Sequence, residues 1–116
     1  MDIQITGRNV TVSEELKSYV EGRAEATLVG YPRIESCHVI LSHEKYRCTV
    51  EFVVQGRDKL REVAQETTDD MYAAVDAAAE KLDKQLRKAR EKMIDRHHDR
   101  QRLSEVEKSA GGEAGV

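Results

Sequence analysis

Tryptophan is absent from this 116-residue sequence, and aromatic residues make up only 4% of it, with a single phenylalanine. A core built from it must therefore be aliphatic. Proline occurs once, which excludes a proline-rich linker or recognition segment. No stretch approaches the ~20 consecutive apolar residues of a membrane span. The opening MDIQITGRNV has neither an apolar run nor a small-residue cleavage site, so no signal peptide is expected. The chain reads as soluble and cytoplasmic. Its two cysteines, Cys37 and Cys48, lack CxxC spacing and fit reduced, half-buried thiols in a reducing compartment. A metal site joining them to His38 and His43 is disfavoured, because Cys37 and His38 would point to opposite faces of a strand. HExxH, GxSxG, P-loop and GxGxxG patterns are all missing. Neither Ser42 with His43 nor His97 with His98 has an orienting acid at a diagnostic spacing. Neither an enzyme nor a cofactor is expected.

What is present suffices for one domain, which at this length buries roughly two thirds of its unfolded surface. Ile3 and Ile5 alternate with polar residues, predicting a short strand over 2–6, which Gly7 is expected to end. Ser13 followed by Glu14 and Glu15 predicts a helix start, the hydroxyl accepting a first-turn N–H and the acids suiting the dipole. Leu16, Tyr19, Val20, Ala24, Thr27 and Leu28 recur at helical spacing until Gly30 and Pro32 stop the helix. Residues 34–43 and 46–55 then alternate as two strands with a tight turn at Glu44 and Lys45. Tyr46, Cys48, Val50, Phe52 and Val54 share one face of the second strand. Gly56, Arg57 and Asp58 mark a further turn, and 60–66 is a weaker fourth strand.

A second helix is predicted from Thr68 or Asp69. Along it Met71, Val75, Ala78, Leu82, Leu86, Ala89 and Met93 form a narrow buried seam. Beyond about Arg102 the period fades and Gly and Ser enter, so 96–116 is expected to be a helix extension followed by a flexible tail. The order is β-α-β-β-β-α: an α+β fold of two layers, a four-stranded sheet with both helices on one face.

The formal net charge of −3 conceals a separation. Residues 1–80 carry nine Lys/Arg against fifteen Asp/Glu, whereas 81–102 carry nine against four, with His97 and His98 besides. At about 100° per residue, Lys84, Lys88 and Lys92 fall within roughly 60° of Lys81, beside the seam. Arg87 and Arg90 widen the positive region. Asp76, Glu80, Asp83 and Glu91 fall mostly on the remaining arc. A solvated face with pairs such as Glu80–Lys84 accounts for many such runs. Segregated cations equally suit a polyanion, whose condensed counterions are released on binding, and duplex-like RNA can be held through its backbone in this way.

The stretch 70–92, DMYAAVDAAAEKLDKQLRKAREK, resembles the signature helix of the bacterial hibernation-promoting factor and ribosome-associated inhibitor family. IQITGRNVTVSEELKSYVE and HVILSHEKYR resemble the same family at matching distances, so the likeness covers most of 2–93. It implies a β-α-β-β-β-α domain over 1–95, similar in layout to double-stranded RNA-binding domains. It further implies a monomeric factor that binds 16S RNA of the small (30S) ribosomal subunit in the channel used by mRNA and tRNA. Initiation is thereby blocked in stationary phase or stress. Lys81, Lys84, Lys88, Arg90 and Lys92 occupy basic positions of the family helix, Lys17 and Arg23 basic positions of the first helix, and Lys45 the lysine at the strand turn. Tyr72 matches a family tyrosine, read as anchoring its helix against the sheet. After Arg23 the family usually continues with a Lys-Leu-Glu-like run, whereas this chain has Ala26-Thr27-Leu28 followed by Gly30-Tyr31-Pro32, so one basic contact of the first helix is expected to be missing. Its length is expected to leave no room for the second, dimer-forming domain of long members. The competing reading is a regulatory protein-interaction module, such as a transcription component, whose seam on the second helix docks a partner.

Overall fold

The computed structural model describes residues 2–105, with side chains for 2–92. The strands are β1 (Asp2–Arg8), β2 (Ile34–Glu44), β3 (Arg47–Gly56) and β4 (Arg61–Thr68), and the helices α1 (Glu14–Leu28) and α2 (Met71–Glu105). The chain divides into two compact units, Met1–Gln85 and Leu86–Val116, and α2 contributes to both.

In the first unit the strands form one sheet in the order β1-β2-β3-β4. β1 runs parallel to β2, and β2–β3 and β3–β4 are antiparallel. The period of two sends one set of side chains to a single covered face. Across its middle the register aligns Ile5, Val39, Phe52 and Ala64. Phe52, Val39 and Ala64 are wholly buried, the small Ala64 leaving room beside the one large ring. Burying Phe52 alone is worth about 1.5–3 kcal/mol.

Both helices cover this face with aliphatic stripes: Leu16, Val20, Ala24 and Leu28 from α1, and Ala74, Val75, Ala78, Ala79 and Leu82 from α2. The α+β two-layer arrangement expected from the pattern is thus formed. α1 begins where Ser13 Oγ accepts the Leu16 N–H at 3.1 Å. It ends at Val29, whose N–H reaches Glu25 O, just before Gly30.

Several predicted boundaries move. β1 runs through Gly7, which pairs with Leu41, because Gly7 is needed for a close approach and does not end the strand. A Cβ there would lie 2.7 Å from Val10 O and 2.8 Å from Val12 Cγ2. The β2–β3 turn falls at Lys45 and Tyr46, one residue later than expected, since Glu44 pairs with Arg47. Tyr46 is therefore 75% exposed and does not belong to the covered face. β4 extends to Thr68, and α2 starts at Met71, not at Thr68 or Asp69. Thr68 and Asp70 form a side-chain turn, and Asp70 Oδ2 caps the helix by accepting the Ala73 N–H at 3.0 Å. The predicted seam widens to include Ala74 and Ala79. The side chains of Met93, His97 and His98 and the tail 106–116 lie outside what is described.

Candidate nucleic-acid interface

The two helices place the predicted cations over different parts of the first unit. On α2, Lys81 reaches back to the edge strand β4. Its ammonium donates to Gln65 O at 3.2 Å and lies 3.7 Å from Glu66 Oε2. Glu66 is on the covered face of the sheet, opposite Val50, so Lys81 neutralises a half-covered carboxylate and caps an edge carbonyl. Lys84, one turn on, is exposed and makes no hydrogen bond or ion pair among the described residues. The Glu80–Lys84 pair expected of a merely solvated face is not formed.

On α1, Arg23 turns toward α2. Its Nε donates to Asp76 Oδ1 at 3.0 Å, and the same oxygen accepts the Tyr19 hydroxyl at 2.5 Å. The Tyr19 hydrogen bond holds the Asp76 carboxyl below the usual carboxylate range, with Arg23 adding to the effect. The same bond raises the Tyr19 phenol above its ordinary value. Tyr72 meets Tyr19 edge-on, with ring centroids 5.0 Å apart. Tyr72 therefore braces helix against helix, where helix against sheet was expected. Tyr31 makes a further link, its hydroxyl donating to Asp83 Oδ1 at 3.0 Å.

Lys17 lies elsewhere. It is exposed between Glu14 and Glu21, over the free edge of β1, at the opposite side of the sheet from Lys81. Lys45 sits at the tip of the β2–β3 hairpin with φ 57°. In the second unit Arg87, Lys88, Arg90 and Lys92 are all exposed along α2. Within the first unit the predicted contacts are spread over different elements: Lys81 and Lys84 follow one another on α2, Arg23 lies between the helices, Lys17 stands over β1 and Lys45 at the hairpin tip.

The four residues of the disfavoured metal reading are only partly brought together: His43 pairs with Cys48 across β2 and β3, whereas Cys37 pairs with Val54 further along the strands. Cys37 and Cys48 are buried as free thiols, and burial pushes the Cys37 thiol up to about 11. His38 lies on the other face, its Nε2 2.8 Å from Thr6 Oγ1. No cluster of three or more metal-ligating side chains occurs among the described residues. Among them, too, no helix is long and apolar enough to cross a membrane.

Sequence reasoning missed the inward commitment of Lys81 and Arg23. Their partners Glu66 and Asp76 were visible as acids, but only the sheet register and helix pairing bring them into reach.

Known proteins with this chain's pattern agree among themselves. A ribosome hibernation promoting factor from Azotobacter vinelandii is 38% identical over 98 residues, covering 83% of this chain and 89% of that protein. Its Escherichia coli counterpart is 31% identical and covers 80% of this chain and 97% of that one. A ribosomal subunit interface protein from Coxiella burnetii superposes with a TM-score of 0.73 at 31% identity, covering 78% of this chain and 98% of the other. The N-terminal domain of Thermus thermophilus Protein Y gives 0.68 at 27% identity, with 76% and 98% covered. The family model described as Sigma 54 modulation protein / S30EA ribosomal protein matches residues 3–94, and the chain belongs to that family.

Proposed function

We propose that this ribosome-associated hibernation protein binds the small (30S) subunit at the decoding channel through 16S ribosomal RNA. It blocks initiation there by occupying the space of mRNA and tRNA, in stationary phase or stress. Residues 1–95 are the binding domain, and no step requires chemistry or a cofactor. The observation that carries the reading is the run of exposed cations on α2: Lys84 in the first unit and Lys88 and Lys92 in the second all lie exposed on that helix. Arg87 and Arg90 extend it. Arg23 and Lys45 add separate phosphate contacts, and Lys81 contributes field while tied to Glu66. Lys17, bracketed by two carboxylates, is the weakest member of the set.

The alternative, a regulatory module whose α2 seam docks a partner, loses its surface, since Val75, Ala78 and Leu82 are fully buried within the first unit. Co-sedimentation with purified 30S subunits across a salt series tests the proposal. Binding should weaken steeply with salt and be competed by mRNA. Salt-independent binding, or binding unaffected by mRNA, would remove the RNA-channel assignment.

A further inference from the structure

The two edges of the sheet are treated differently. At β4, Lys81 of α2 donates to the carbonyl of Gln65 and pairs with Glu66. β1 pairs only with β2, and among the described residues nothing bonds its other edge. An uncovered seven-residue edge is a template for another strand, and the middle of β1 carries no proline, bulge or charge, its charged residues Asp2 and Arg8 lying at the ends. Beside that edge runs an open groove between β1 and α1. Ile3, Ile5 and Val12 form its apolar floor, and Glu14, Lys17 and Glu21 line its helical wall. Ile3 and Ile5 face the covered side of the sheet yet remain partly exposed, whereas their neighbours Cys37 and Val39 are buried. The α1 wall is otherwise acidic, with Glu25 following Glu21 one turn on.

We propose that the free edge of β1 accepts an extended, basic polypeptide as a fifth strand, whose inward side chains fill the groove against α1. The spacing sets its pattern. Glu14 and Glu21 are seven residues apart, about 10.5 Å along the helix axis. Alternate residues of an added strand lie about 6.7 Å apart and next-but-one inward residues about 13 Å apart. Lysine or arginine at positions p and p+4 therefore reaches the two carboxylates, with a β-branched apolar residue at p+2 resting on Ile3 and Ile5. Main-chain hydrogen bonds supply affinity and the inward pockets supply selectivity. A second copy of this chain fits less well, since its own α1 would bring Glu14 and Glu21 against like charges.

The test uses the full-length, isotope-labelled protein and a capped Thr-Lys-Thr-Val-Thr-Lys-Thr peptide. Amide shifts and slowed exchange should be confined to residues 2–8 and to the α1 positions around Glu14, Lys17 and Glu21. A peptide with Pro-Pro at its centre, which cannot add as a strand, and one with glutamate for lysine should both fail to bind. Replacing Glu14→Gln together with Glu21→Lys should weaken binding by about tenfold while leaving the β2–β4 amide spectrum unchanged. No response at β1 at millimolar peptide, or equal binding of the Pro-Pro peptide, would overturn the strand-addition mode. Unchanged affinity of the double variant would overturn the basic partner. Concentration-dependent β1 shifts in the free protein would assign the edge to a second copy instead.

Discussion

α1 and the start of α2 rest on the same sheet face with similar aliphatic stripes, yet their outer surfaces are opposites. The cations of α1 are kept in acidic company: Lys17 between Glu14 and Glu21, Arg23 held by Asp76. On α2, Lys81 is tied to β4, while Lys84, one turn on, is exposed. Counting basic residues would rate both helices as RNA contacts. Their partners rank them: we expect a paired cation such as Arg23 to release less counterion-derived free energy when a phosphate arrives than an unpaired one such as Lys84.

The deepest common feature should fail first. Leu28→Ala on α1 and Leu82→Ala on α2 each remove a fully packed side chain, and each should cost about 2–5 kcal/mol in urea unfolding. A cost under 1 kcal/mol for either would mean that the two helices do not share the core equally. Next in size, Lys84→Glu with Lys88→Glu should leave urea stability nearly unchanged. We expect it to lower 30S affinity about a hundredfold and to reduce the log–log salt slope by about two. The matching change on α1, Lys17→Gln, should alter that affinity less than about twofold. If it costs as much as Lys84→Gln, the contrast between the helices collapses.

Asp76→Asn probes the junction between them. It should cost no more than about 1 kcal/mol, since the Arg23–Asp76 pair is partly exposed. The sign of its pH dependence is definite. The Asp76 carboxyl is depressed in the folded state by Tyr19 and Arg23. Its contribution is therefore present above the ordinary aspartate value of about 4 and is lost as pH falls through the lower folded value. Asp76→Asn should flatten that part of the acid limb of the stability curve, and Tyr19→Phe should flatten it partway. Identical acid limbs in wild type and variant would show the junction to be energetically idle.

Where local chemistry decided the outcome, the sequence was readable. Ser13 announced the α1 cap, the alternation from Cys48 to Val54 announced the covered face of β3, and the family-like stretch 70–92 announced α2. Where distant partners decided it, the sequence was mute. Gly7 looked like a strand breaker because its reason, the return of Val10 and Val12 against it, lies in a backbone path and not in a pattern. Tyr46 matched the period of β3 but fell in a turn that shifted by one residue. Lysines three or four residues apart on α2 looked equivalent until the β4 register brought Glu66 within reach of Lys81.

The parallel seating of β1 has a consequence in time. β2, β3 and β4 are joined by short turns and can zip together by local contacts. Ile3 must instead find Cys37 across the whole of α1, a loop whose closure is slower and entropically dearer. β1 should thus dock late in folding and open early, with its amides exchanging well before those of β3.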